Sequence, residues 1–564
     1  MEKKLIFFGA GEVCRLSVGY AATRNLEVSY ISDNASEKWG STYKDIPIIS
    51  PNSLQNLMTG DYEIVITVGP KVVTKISEQL QAMGFIYGVD FITFYDKFYC
   101  GTIPSSSEPG FVYNGTDYDL VKPITDCILT MDKERKYAYR MIGVEKADNF
   151  RLVYERICSS EVLRKSIVDT CILEDQGLQS TYPLVLQHEY LPLISYCSEW
   201  SPMMFRDYVL FMLDFISELD RVGLGLQDPS LYNTTFHNGR FIYVDYSGIF
   251  WDKTNWFIMQ TFIELHINTL VMLTKSQAKG YLYLQNPRMV AKYADIAGYL
   301  NQQEAVRYHE ILTICEKATV SGDVNKVCEL LKDYVQLVTT DFASVSDWTG
   351  YQDVLYSHMH GQQDYTQKQK EVLSLVRSVA PTTLLDLAGN MGYYSIALSK
   401  SLKYAVTIDI DSGISDSAYE MIKKFSVNNV HPICLNFITP TPAIYRNNAV
   451  YTDTIHPYIK GALERFQCDM VLVLAVIHHL ALSQGLTFEE IIGQVFLFTN
   501  RYVIIEFIDR EDEWVARYLR QYSELRTAWY TREKFEIALS EKFAISAIRP
   551  SDTETRTLYL CEKR

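Results

Sequence analysis

Apolar and polar positions alternate in the same way near both ends of the chain, as a short apolar run, a glycine turn and a segment with helical spacing. Apolar runs at 5–8, 27–31 and 63–68 predict three strands near the N-terminus. A more regular series predicts strands at 384–388, 404–409, 431–436, 470–475 and 501–507. Because helical segments separate these strands, we expect parallel sheets in both parts of the chain.

The C-terminal series ends in a different pattern. Apolar runs at 543–548 and 557–561 flank the polar turn Pro550-Ser551-Asp552. Two strands joined by a short turn pair in antiparallel fashion. We therefore predict a parallel sheet that is closed on one side by a terminal hairpin.

The central part of the chain follows neither pattern. Strand-like runs at 136–142 and 184–188 precede a helix at 203–222, where apolar residues recur at helical spacing. A loop at 225–233 and a hairpin at 234–246 follow, and the rest of this part has a helical pattern. These features predict a mixed α+β domain between two α/β domains.

The length of 564 residues is too great for one hydrophobic core, since domains average roughly 150 residues. We predict an α/β multidomain protein with a small Rossmann-like domain at 1–100, a middle α+β domain at 101–345 and a C-terminal α/β domain at 346–564. No linker rich in Pro, Gly or Ser separates these segments, so we expect them to pack together.

Composition excludes several classes of protein. The net charge of -15 and the lack of any Lys/Arg-rich run argue against a nucleic-acid partner. The eleven cysteines are scattered without a Cys-x-x-Cys pair, which is typical of reduced thiols. The first residues run directly into a strand, and the longest apolar stretch, at 470–477, is too short to span a bilayer. We therefore expect a cytoplasmic protein without a membrane span.

A candidate ligand site follows the first strand of the C-terminal series. Asp386 ends this strand, and Gly389 and Gly392 allow the backbone to approach a ligand closely. The next helix begins near Tyr394, so its N-terminus would face a bound carboxylate. Asp409 ends the second strand, where an acidic residue suits ribose hydroxyls. This spacing suits S-adenosylmethionine and NAD equally, so a dehydrogenase stays an alternative.

Resemblance to a family separates these two ligands. The segments LLDLAGNMGYYS, VTIDID, LNFITPTPA, MVLVLAVIHHLAL and YVIIEFIDRED resemble, in order, the motifs of class I S-adenosylmethionine-dependent methyltransferases. The resemblance implies a seven-stranded Rossmann-like domain with S-adenosylmethionine as its cofactor. It implies that Gly389, Asn390 and Gly392 line the methionine and ribose side, that Asp386 anchors the loop, that Asp409 binds the ribose, and that Asn436 with Phe437 binds adenine. Asn436 stands where family members usually have an acidic residue.

Candidate catalytic groups follow the fourth strand of this series. A hydroxyl acceptor needs a base, and the imidazoles of His478 and His479 titrate in the useful range. The alternative is that one of them packs in the core and the other caps the following helix; of the two, we favour His479 as the base. Glu506, at the end of the fifth strand, is another candidate, and its alternative role is an ion pair with Arg510.

The loop and hairpin of the middle segment carry a second candidate site. Asp228 and Asn233 form a D-x-x-x-x-N pattern, and Asp245 follows the hairpin, which resembles the catalytic segment of protein kinases. The resemblance implies a protein-kinase-like domain in which Asp228 accepts the substrate proton. It further implies that Asn233 and Asp245 bind Mg²⁺ with ATP.

The middle segment departs from the kinase pattern in three respects. Leu226 and Gln227 precede Asp228 where kinases have His-Arg, and no Gly-rich loop is present upstream. Arg140 stands where the phosphate-binding lysine is expected, with Glu155 as its predicted partner. A degenerate kinase fold that binds nucleotide without transferring phosphate is therefore an alternative.

The N-terminal segment has a shorter glycine motif. Gly9 and Gly11 follow the first strand, but the third glycine of a dinucleotide fingerprint is replaced by Cys14. Asp33 ends the second strand, where it could bind a ribose. The segment resembles the small Rossmann domain of bacterial sugar acyltransferases, which implies a nucleotide-sugar ligand. The alternative is a domain that has kept the fold only for packing.

The segments 198–228 and Trp348-Thr349-Gly350-Tyr351, together with the methyltransferase motifs, resemble a bacterial family that joins a kinase-like region to a methyltransferase. This predicts a bifunctional enzyme that modifies a small-molecule or glycan acceptor, namely a sugar or sugar-phosphate of a cell-surface glycan or secondary metabolite. The alternatives are a nucleotide-binding scaffold or sensor without phosphotransfer, and an NAD-linked oxidoreductase that uses the N-terminal domain.

Overall fold

The computed structural model describes residues 4–564 except 12–13, 15–16, 19–20, 22–25, 58–60, 69, 94–109, 114–115, 125–126, 133–136, 174–182, 252–253, 255, 286–288, 322, 341, 343–345, 360–364, 443, 446–457 and 522–526. The chain packs as two compact units. The first comprises Met1–Glu155, Val168–Pro192 and Ile444–Ile459, and the second comprises Arg156–Ile167, Leu193–Ala443 and Lys460–Arg564. The predicted domain boundaries at 100 and 345 lie outside the described residues, so the three-domain division stays a prediction.

The first unit contains the predicted N-terminal sheet. Its strands are β1 (Lys4–Phe8), β2 (Val28–Ser32), β3 (Thr42–Tyr43), β4 (Ile46–Ile49), β5 (Tyr62–Ile66) and β6 (Phe91–Thr93), in the order β3-β4-β2-β1-β5-β6. All neighbours are parallel except β3 and β4. Described helices of this part are α1 (Leu54–Leu57), α2 (Pro70–Ala82) and the 3-10 turns Ser36–Lys38 and Pro51–Ser53. The three predicted strands are confirmed as β1, β2 and β5.

The first unit also contains an antiparallel sheet. Its strands are β7 (Gly110–Tyr113), β8 (Thr116–Ile124), β9 (Cys127–Asp132), β10 (Tyr137–Ile142), β11 (Thr170–Ile172) and β12 (Leu184–Glu189), in the order β11-β12-β10-β9-β8-β7. Helix α3 (Val144–Ser159) follows β10 in the chain, and α4 (Glu161–Ser166), which belongs to the second unit, precedes β11. The two strands predicted at 136–142 and 184–188 are β10 and β12, and they pair side by side.

The second unit begins with a helical part around α5 (Pro202–Arg221), the predicted long helix. Short strands follow as β13 (Gly225–Leu226), β14 (Thr234–His237), β15 (Arg240–Tyr243) and β16 (Ile249–Phe250), with β14 and β15 forming the predicted hairpin. The helices after them are α6 (Trp256–Phe262), α7 (Asn268–Lys275), α8 (Gln277–Gln285), α9 (Tyr293–Ile296), α10 (Gln302–Ser321) and α11 (Val324–Thr339), with the π-helix Ile263–Ile267 between α6 and α7 and 3-10 turns at Cys197–Glu199, Leu231–Asn233, Tyr246–Gly248 and Ala297–Tyr299.

A seven-stranded sheet forms the rest of the second unit. Its strands are β17 (Thr383–Leu387), β18 (Tyr404–Asp409), β19 (Val430–Cys434), β22 (Cys468–Val473), β23 (Thr499–Ile508), β24 (Phe543–Pro550) and β25 (Arg556–Lys563), in the order β19-β18-β17-β22-β23-β25-β24. The first five strands are parallel, and β25 is antiparallel to β23 and β24. The predicted parallel sheet with a terminal hairpin is confirmed. The remaining pair of strands, β20 (Ile444–Tyr445) and β21 (Tyr458–Ile459), is antiparallel and belongs to the first unit.

Helices cover both faces of the seven-stranded sheet. They are α12 (Asp353–Met359), α13 (Gln367–Val379), α14 (Tyr393–Leu398), α15 (Ser412–Lys424), α16 (Ala462–Arg465), α17 (Phe488–Phe498), α18 (Glu513–Leu519) and α19 (Arg532–Lys542), with the 3-10 turn Ser399–Ser401 and the π-helix His479–Ser483. Successive residues of β17 point to opposite faces, so that Leu385 packs in one core cluster and Leu384 in the other. Because both faces of the central strands are buried, β17, β18 and β22 are nearly continuous apolar runs.

A buried ion pair links the helical part of the second unit to the seven-stranded sheet. Arg465, at the end of α16, pairs with both carboxylate oxygens of Glu199, and both side chains are buried. The same guanidinium donates to the carbonyls of Ile194 and Lys460 and lies 4.3 Å from the ring centroid of Tyr196. Each of the three guanidinium nitrogens therefore has an acceptor, which offsets the cost of burying the charge of this arginine.

Two further findings concern the predictions from composition. Across the described parts of the chain, no helix is long and apolar enough to cross a membrane. The nine cysteines whose side chains the structure describes are all free thiols.

The buried ion pair leads to a test of stability. Arg465→Ala leaves the Glu199 carboxylate buried without its cation, so we expect the free energy of unfolding of this unit to fall by about 3–5 kcal/mol. Urea unfolding followed by tryptophan fluorescence measures the change. The matched control is Arg501→Ala, whose pair with Glu562 is 3.3 Å long and exposed, and which should cost below about 1 kcal/mol. Equal losses in the two variants would contradict the role given to Arg465.

Candidate functional site

The carboxyl ends of β17, β18 and β22 lie side by side at one edge of the sheet. Leu387 of β17 pairs with Ile408 of β18 and with Val473 of β22. The loops that leave these three strands are therefore neighbours, which is where open α/β sheets bind their ligands. Asp386, Asp409 and the His478-His479 pair, which are far apart in sequence, belong to this edge.

The loop after β17 has an unusual backbone. Ala388, Asn390 and Gly392 all have positive φ, at 54°, 52° and 76°. Such left-handed residues turn the chain sharply. Gly389 lies between them and is required by space, because a Cβ there would overlap the Thr407 hydroxyl and lie 2.8 Å from Cγ of Asp386.

The second acidic residue is bonded to this loop. The Asp409 carboxylate accepts hydrogen bonds from the N–H of Asn390 at 3.1 Å and from the N–H of Asp411 at 3.0 Å. Burial raises the pKa of Asp409 to about 6, although these backbone hydrogen bonds oppose the shift. The structure thus brings Gly389, Asn390 and Asp409 together, as the motif spacing predicts.

Asp386 lies beneath the loop and is buried. Burial raises the pKa of its carboxyl to about 7, with Lys368 lowering it and Asp409 raising it further. Its Oδ2 and the hydroxyl of Thr407 are buried without a hydrogen-bond partner among the described residues. Buried oxygens without donors are costly, so they fit a ligand that supplies a cation or a donor. The ammonium group of S-adenosylmethionine is such a cation, and the residues present therefore fit this cofactor.

Gln352 holds the loop from the outside and was not predicted from the sequence. Its amide donates to the carbonyl of Gly389 at 3.2 Å and accepts from the N–H of Tyr393 at 3.2 Å. Tyr356 on α12 donates to the carbonyl of Met391 at 2.7 Å. These contacts come from a turn and a short helix with no motif of their own. The segment Trp348-Thr349-Gly350-Tyr351, immediately before Gln352, was the one signal in the sequence.

The predicted adenine-binding residues follow β19. Asn436 is half-buried and uses its side-chain oxygen to accept the N–H of Ile438 at 2.9 Å. Phe437 is buried and packs in the core cluster on one face of the sheet. Their contact with adenine stays a prediction.

The two histidines after β22 lie in different environments. His478 is buried, and burial lowers its pKa to about 3. It precedes the π-helix His479–Ser483 but makes no side-chain capping bond. His479 shares a hydrogen bond of 3.1 Å between its Nδ1 and the hydroxyl of Tyr518. Burial also lowers the pKa of His479, so both rings are neutral near physiological pH.

Glu506 is fully buried at the end of β23. Its carboxylate accepts from Nζ of Lys368 at 2.6 Å, from the N–H of Ala475 at 2.9 Å and from the hydroxyl of Ser551 at 2.6 Å. The predicted alternative, an ion pair with Arg510, is wrong. The Arg510 guanidinium donates instead to the carbonyls of Thr527 and Tyr530, which lie closer to it than the fully bonded carboxylate.

The predicted kinase-like residues of the second unit are partly brought together. The amide of Asn233 donates to the carboxylate of Asp228 at 3.2 Å. Asp245 caps the turn Tyr246–Gly248 by accepting the N–H of Ser247 at 3.0 Å. In the part of the chain that is described, no group of three or more His, Cys, Asp or Glu side chains could hold a metal ion. Metal binding by Asn233 and Asp245 stays a prediction.

Arg140 belongs to the first unit, where it lies buried on β10. Glu155 is exposed on α3, the helix that follows β10. The predicted roles of both residues at a nucleotide phosphate stay predictions.

The N-terminal loop repeats the arrangement of the C-terminal one. Gly9 has a φ of 109° and donates its N–H to the carbonyl of Ser32, as Gly389 does to that of Ile408. The N–H groups of Ala10 and Ala35 donate to the Asp33 carboxylate, as those of Asn390 and Asp411 do to Asp409. The two predicted loop–carboxylate pairs therefore share one hydrogen-bond pattern.

One difference separates these loops. Lys38 pairs with Asp33 at 3.2 Å. Burial opposes ionisation of Asp33, but the two backbone hydrogen bonds and Lys38 outweigh it and lower its pKa. The Asp33 carboxylate is thus already neutralised by the chain itself.

The second glycine of the N-terminal motif differs from Gly389. Gly11 has open space beside its Cα, since a Cβ there would meet nothing within 4 Å.

Comparisons with known proteins give distant relatives. No family model matches the chain. The nodulation protein NoeA of Rhizobium meliloti (strain 1021) is 25% identical over 439 residues, which cover 72% of this chain and 89% of NoeA.

Solved structures that are similar to the chain include methyltransferases. One is the N-methyltransferase NodS from Bradyrhizobium japonicum WM9 in complex with S-adenosyl-L-homocysteine, with 14% identity, 36% of this chain and 89% of that chain covered, and a TM-score of 0.25. Another is the magnesium protoporphyrin IX methyltransferase ChlM from Synechocystis PCC 6803 with bound S-adenosylhomocysteine, with 12% identity, 38% and 96% covered, and a TM-score of 0.26. The function of the chain is therefore inferred from the strand order and from the residues of the site.

The contacts of Gln352 lead to a first test at the site. Gln352→Leu removes both hydrogen bonds to the loop at similar volume, so we expect the affinity for S-adenosylhomocysteine to fall by about tenfold. Isothermal titration calorimetry measures it. The control is Gln367→Leu, whose exposed amide bonds to Glu371 on the same helix and should leave the affinity unchanged. Unchanged binding in Gln352→Leu would show that the loop keeps its shape unaided.

The raised pKa values of Asp386 and Asp409 lead to a second test. A ligand that donates to these carboxylates favours their ionised forms, so affinity is full above the higher pKa and is lost as the pH falls through about 7 and then 6. We expect the dissociation constant of S-adenosylhomocysteine to rise by up to about tenfold for each pH unit below about 7, and more steeply below about 6, where both carboxyl groups take up protons. Calorimetry between about pH 8 and pH 5.5 checks this. Asp386→Asn should flatten the upper part of the profile, whereas a flat profile in the unchanged protein would contradict the assignment.

Proposed function

We propose that this chain is an S-adenosylmethionine-dependent methyltransferase that binds its cofactor at the carboxyl edge of the seven-stranded sheet. The observation that carries the proposal is the bond from the N–H of Asn390 to the Asp409 carboxylate, above a buried Asp386 whose Oδ2 has no donor among the described residues. A left-handed glycine loop, an acidic strand end and an unsatisfied carboxylate suit the methionine, ribose and ammonium groups of one molecule.

Each part of the cofactor has a proposed partner. Asp386 balances the ammonium group, and Gly389, Asn390 and Gly392 line the methionine and ribose side. Asp409 accepts the ribose hydroxyls, because its carboxylate is held in place by two backbone bonds. Asn436 and Phe437 bind adenine. When bound, S-adenosylmethionine supplies an electrophilic methyl group.

His479 is the proposed base. Its lowered pKa keeps the ring neutral, so one ring nitrogen is free to accept a proton from a hydroxyl or amine. When the Nδ1–H of His479 donates its hydrogen bond to the Tyr518 hydroxyl, Nε2 is the unprotonated ring nitrogen. Nε2 is then the atom that receives the proton of the acceptor. His478 is buried more deeply and supports the turn by packing.

A further ligand site is proposed in the rest of the chain. The contact between Asn233 and Asp228, with Asp245 on the next turn, supports a kinase-like nucleotide site with ATP and Mg²⁺. The alternative is a scaffold that binds nucleotide without transferring phosphate. A nucleotide-sugar ligand at the N-terminal loop stays a prediction, because Lys38 already pairs with the Asp33 carboxylate that its ribose would need. A sugar of a glycan or secondary metabolite as acceptor, and a cytoplasmic location, stay predictions.

An NAD-linked oxidoreductase is the competing function, since a Gly-x-Gly loop with an acidic strand end is one feature of a dinucleotide site. At the N-terminal loop, however, Lys38 already pairs with the Asp33 carboxylate that a ribose would need. Titration with NADH, followed by its fluorescence, distinguishes the two functions. We expect no binding of NADH under conditions where S-adenosylhomocysteine binds.

The glycine of the loop gives the test of the proposed function. Gly389→Ala forces a Cβ against Thr407 and Asp386, so we expect binding of S-adenosylhomocysteine to fall by at least about a hundredfold in calorimetry. Gly493→Ala is the matched control, because a Cβ at Gly493, on α17, meets nothing within 4 Å. Failure of the unchanged protein to bind either S-adenosylmethionine or S-adenosylhomocysteine would refute the proposal.

A further inference from the structure

Four aromatic side chains, one of which is the proposed base, form a continuous row. The Tyr351 and Trp348 ring centroids are 6.0 Å apart, those of Trp348 and His479 are 5.2 Å apart, and those of His479 and Tyr518 are 5.6 Å apart. Each pair meets edge to face, the arrangement that aromatic rings favour. We call Tyr351, Trp348, His479 and Tyr518 the aromatic row.

One end of the aromatic row is open to solvent. Trp348 is 44% exposed and Tyr351 is 54% exposed. Large aromatic side chains that stay exposed as a group mark ligand sites more often than isolated ones do. The aromatic row includes His479, the proposed base.

The aromatic row is also fixed to the cofactor edge. Ser346 donates to the carboxylate of Asp411, just after β18, at 2.7 Å. Gln352 bonds to the loop after β17, and both residues flank Trp348 and Tyr351 in the chain. The exposed rings are therefore held between two loops of the proposed cofactor site, and a preformed surface loses little entropy when it binds a ligand.

Three cations near the aromatic row are each paired with a carboxylate. Arg556, which interacts with Tyr351, pairs with Asp512 at 2.8 Å. Arg517, one residue before Tyr518, pairs with Glu513 at 2.6 Å. The Lys368–Glu506 pair, which lies at the same edge of the sheet, is 2.6 Å long. Among the described side chains around the row, each of these cations has its own carboxylate, so none is committed to a phosphate or carboxylate of a ligand.

We propose that the aromatic row is the acceptor site and binds an uncharged ring whose apolar face packs on Trp348. This inference rests on the proposed function and names its substrate class. The ring carries a hydroxyl or amine at its edge, directed to Nε2 of His479. The acceptor oxygen or nitrogen forms the new bond to the methyl carbon while the carbon–sulfur bond breaks, its electron pair stays on sulfur, and the acceptor proton passes to His479. Two sources share this chemistry, a neutral pyranose and a phenol.

Binding of small probes to the protein saturated with S-adenosylhomocysteine tests the inference. The probes form matched pairs, methyl glucoside with glucose 6-phosphate and phenol with phenyl phosphate, and saturation-transfer NMR measures their binding. We expect a neutral member to bind more tightly than its phosphorylated partner. Binding of the glucoside alone assigns a sugar, and binding of phenol alone assigns an aromatic acceptor.

Variants of Trp348 test its stacking face. Trp348→Ala should weaken the neutral probe by about tenfold or more and Trp348→Phe by less, because a phenyl ring keeps part of that face. Trp251→Ala is the control, since Trp251 is 57% exposed on the segment after β16 and should change nothing. S-adenosylhomocysteine should bind all three variants as it binds the unchanged protein.

The inference is overturned if only the phosphorylated probes bind, if no neutral ring binds the saturated protein, or if Trp348→Ala binds the neutral probe unchanged. Each of these results leaves the proposed function standing, because S-adenosylhomocysteine is already bound. If the unchanged protein does not bind S-adenosylhomocysteine, the proposed function itself is refuted, and this result is distinct from the three above.

Discussion

The removal of carboxylates from water is the constraint on which the site depends. Asp386, Asp409 and Glu506 all lie in the last residues of strands at the same edge of the sheet, and all three are withdrawn from solvent. Glu506 is compensated by Lys368, a backbone N–H and a hydroxyl. Asp409 is compensated by two backbone N–H groups, and the Oδ2 of Asp386 by no donor among the described residues. The number of donors to each carboxylate therefore distinguishes Glu506, which is structural, from Asp409 and Asp386, which are proposed to bind a ligand.

The two Rossmann-like loops show how one added charge changes the use of a shared pattern. Asp33 and Asp409 each accept hydrogen bonds from two backbone N–H groups at equivalent positions of their loops. Lys38 also pairs with Asp33, whereas no described cation pairs with Asp409. A paired carboxylate has less to gain from a ribose than an unpaired one. The C-terminal loop is therefore the stronger candidate for a ligand site, although the glycine motifs are similar in sequence.

The segment around Trp348 connects the two sides of the proposed reaction. It contacts the loop after β17 through Gln352, the loop after β18 through Ser346 and the turn after β22 through the indole ring. Catalysis requires the acceptor and the methyl donor to be held in one geometry, and a rigid segment that contacts both sides can provide this. The same segment carries the exposed rings, so the proposed cofactor and acceptor sites share one support.

Much of this arrangement could be predicted from sequence, because it depends on local patterns. Apolar runs predicted the seven strands and the terminal hairpin. The glycine spacing predicted that the loop at Gly389 and Asp409 form one site, since parallel strands bring their carboxyl ends together, and Asn390 of this loop bonds to Asp409. Gln352 could not be predicted, because a single amide in a turn has no periodicity. The partner of Glu506 was predicted wrongly as Arg510, since closeness in sequence does not report which side chain reaches a buried carboxylate.

The sequence by itself determined which residues end the strands and where the chain must turn, since these follow from side-chain periodicity and from the space that glycine leaves. Only the tertiary structure decided which buried groups are paired, which rings stand open to solvent and which part of the chain covers the loop. These properties depend on contacts between residues far apart in the chain, such as Lys368 with Glu506 and Glu199 with Arg465, and the energy of a charge depends on its surroundings in space.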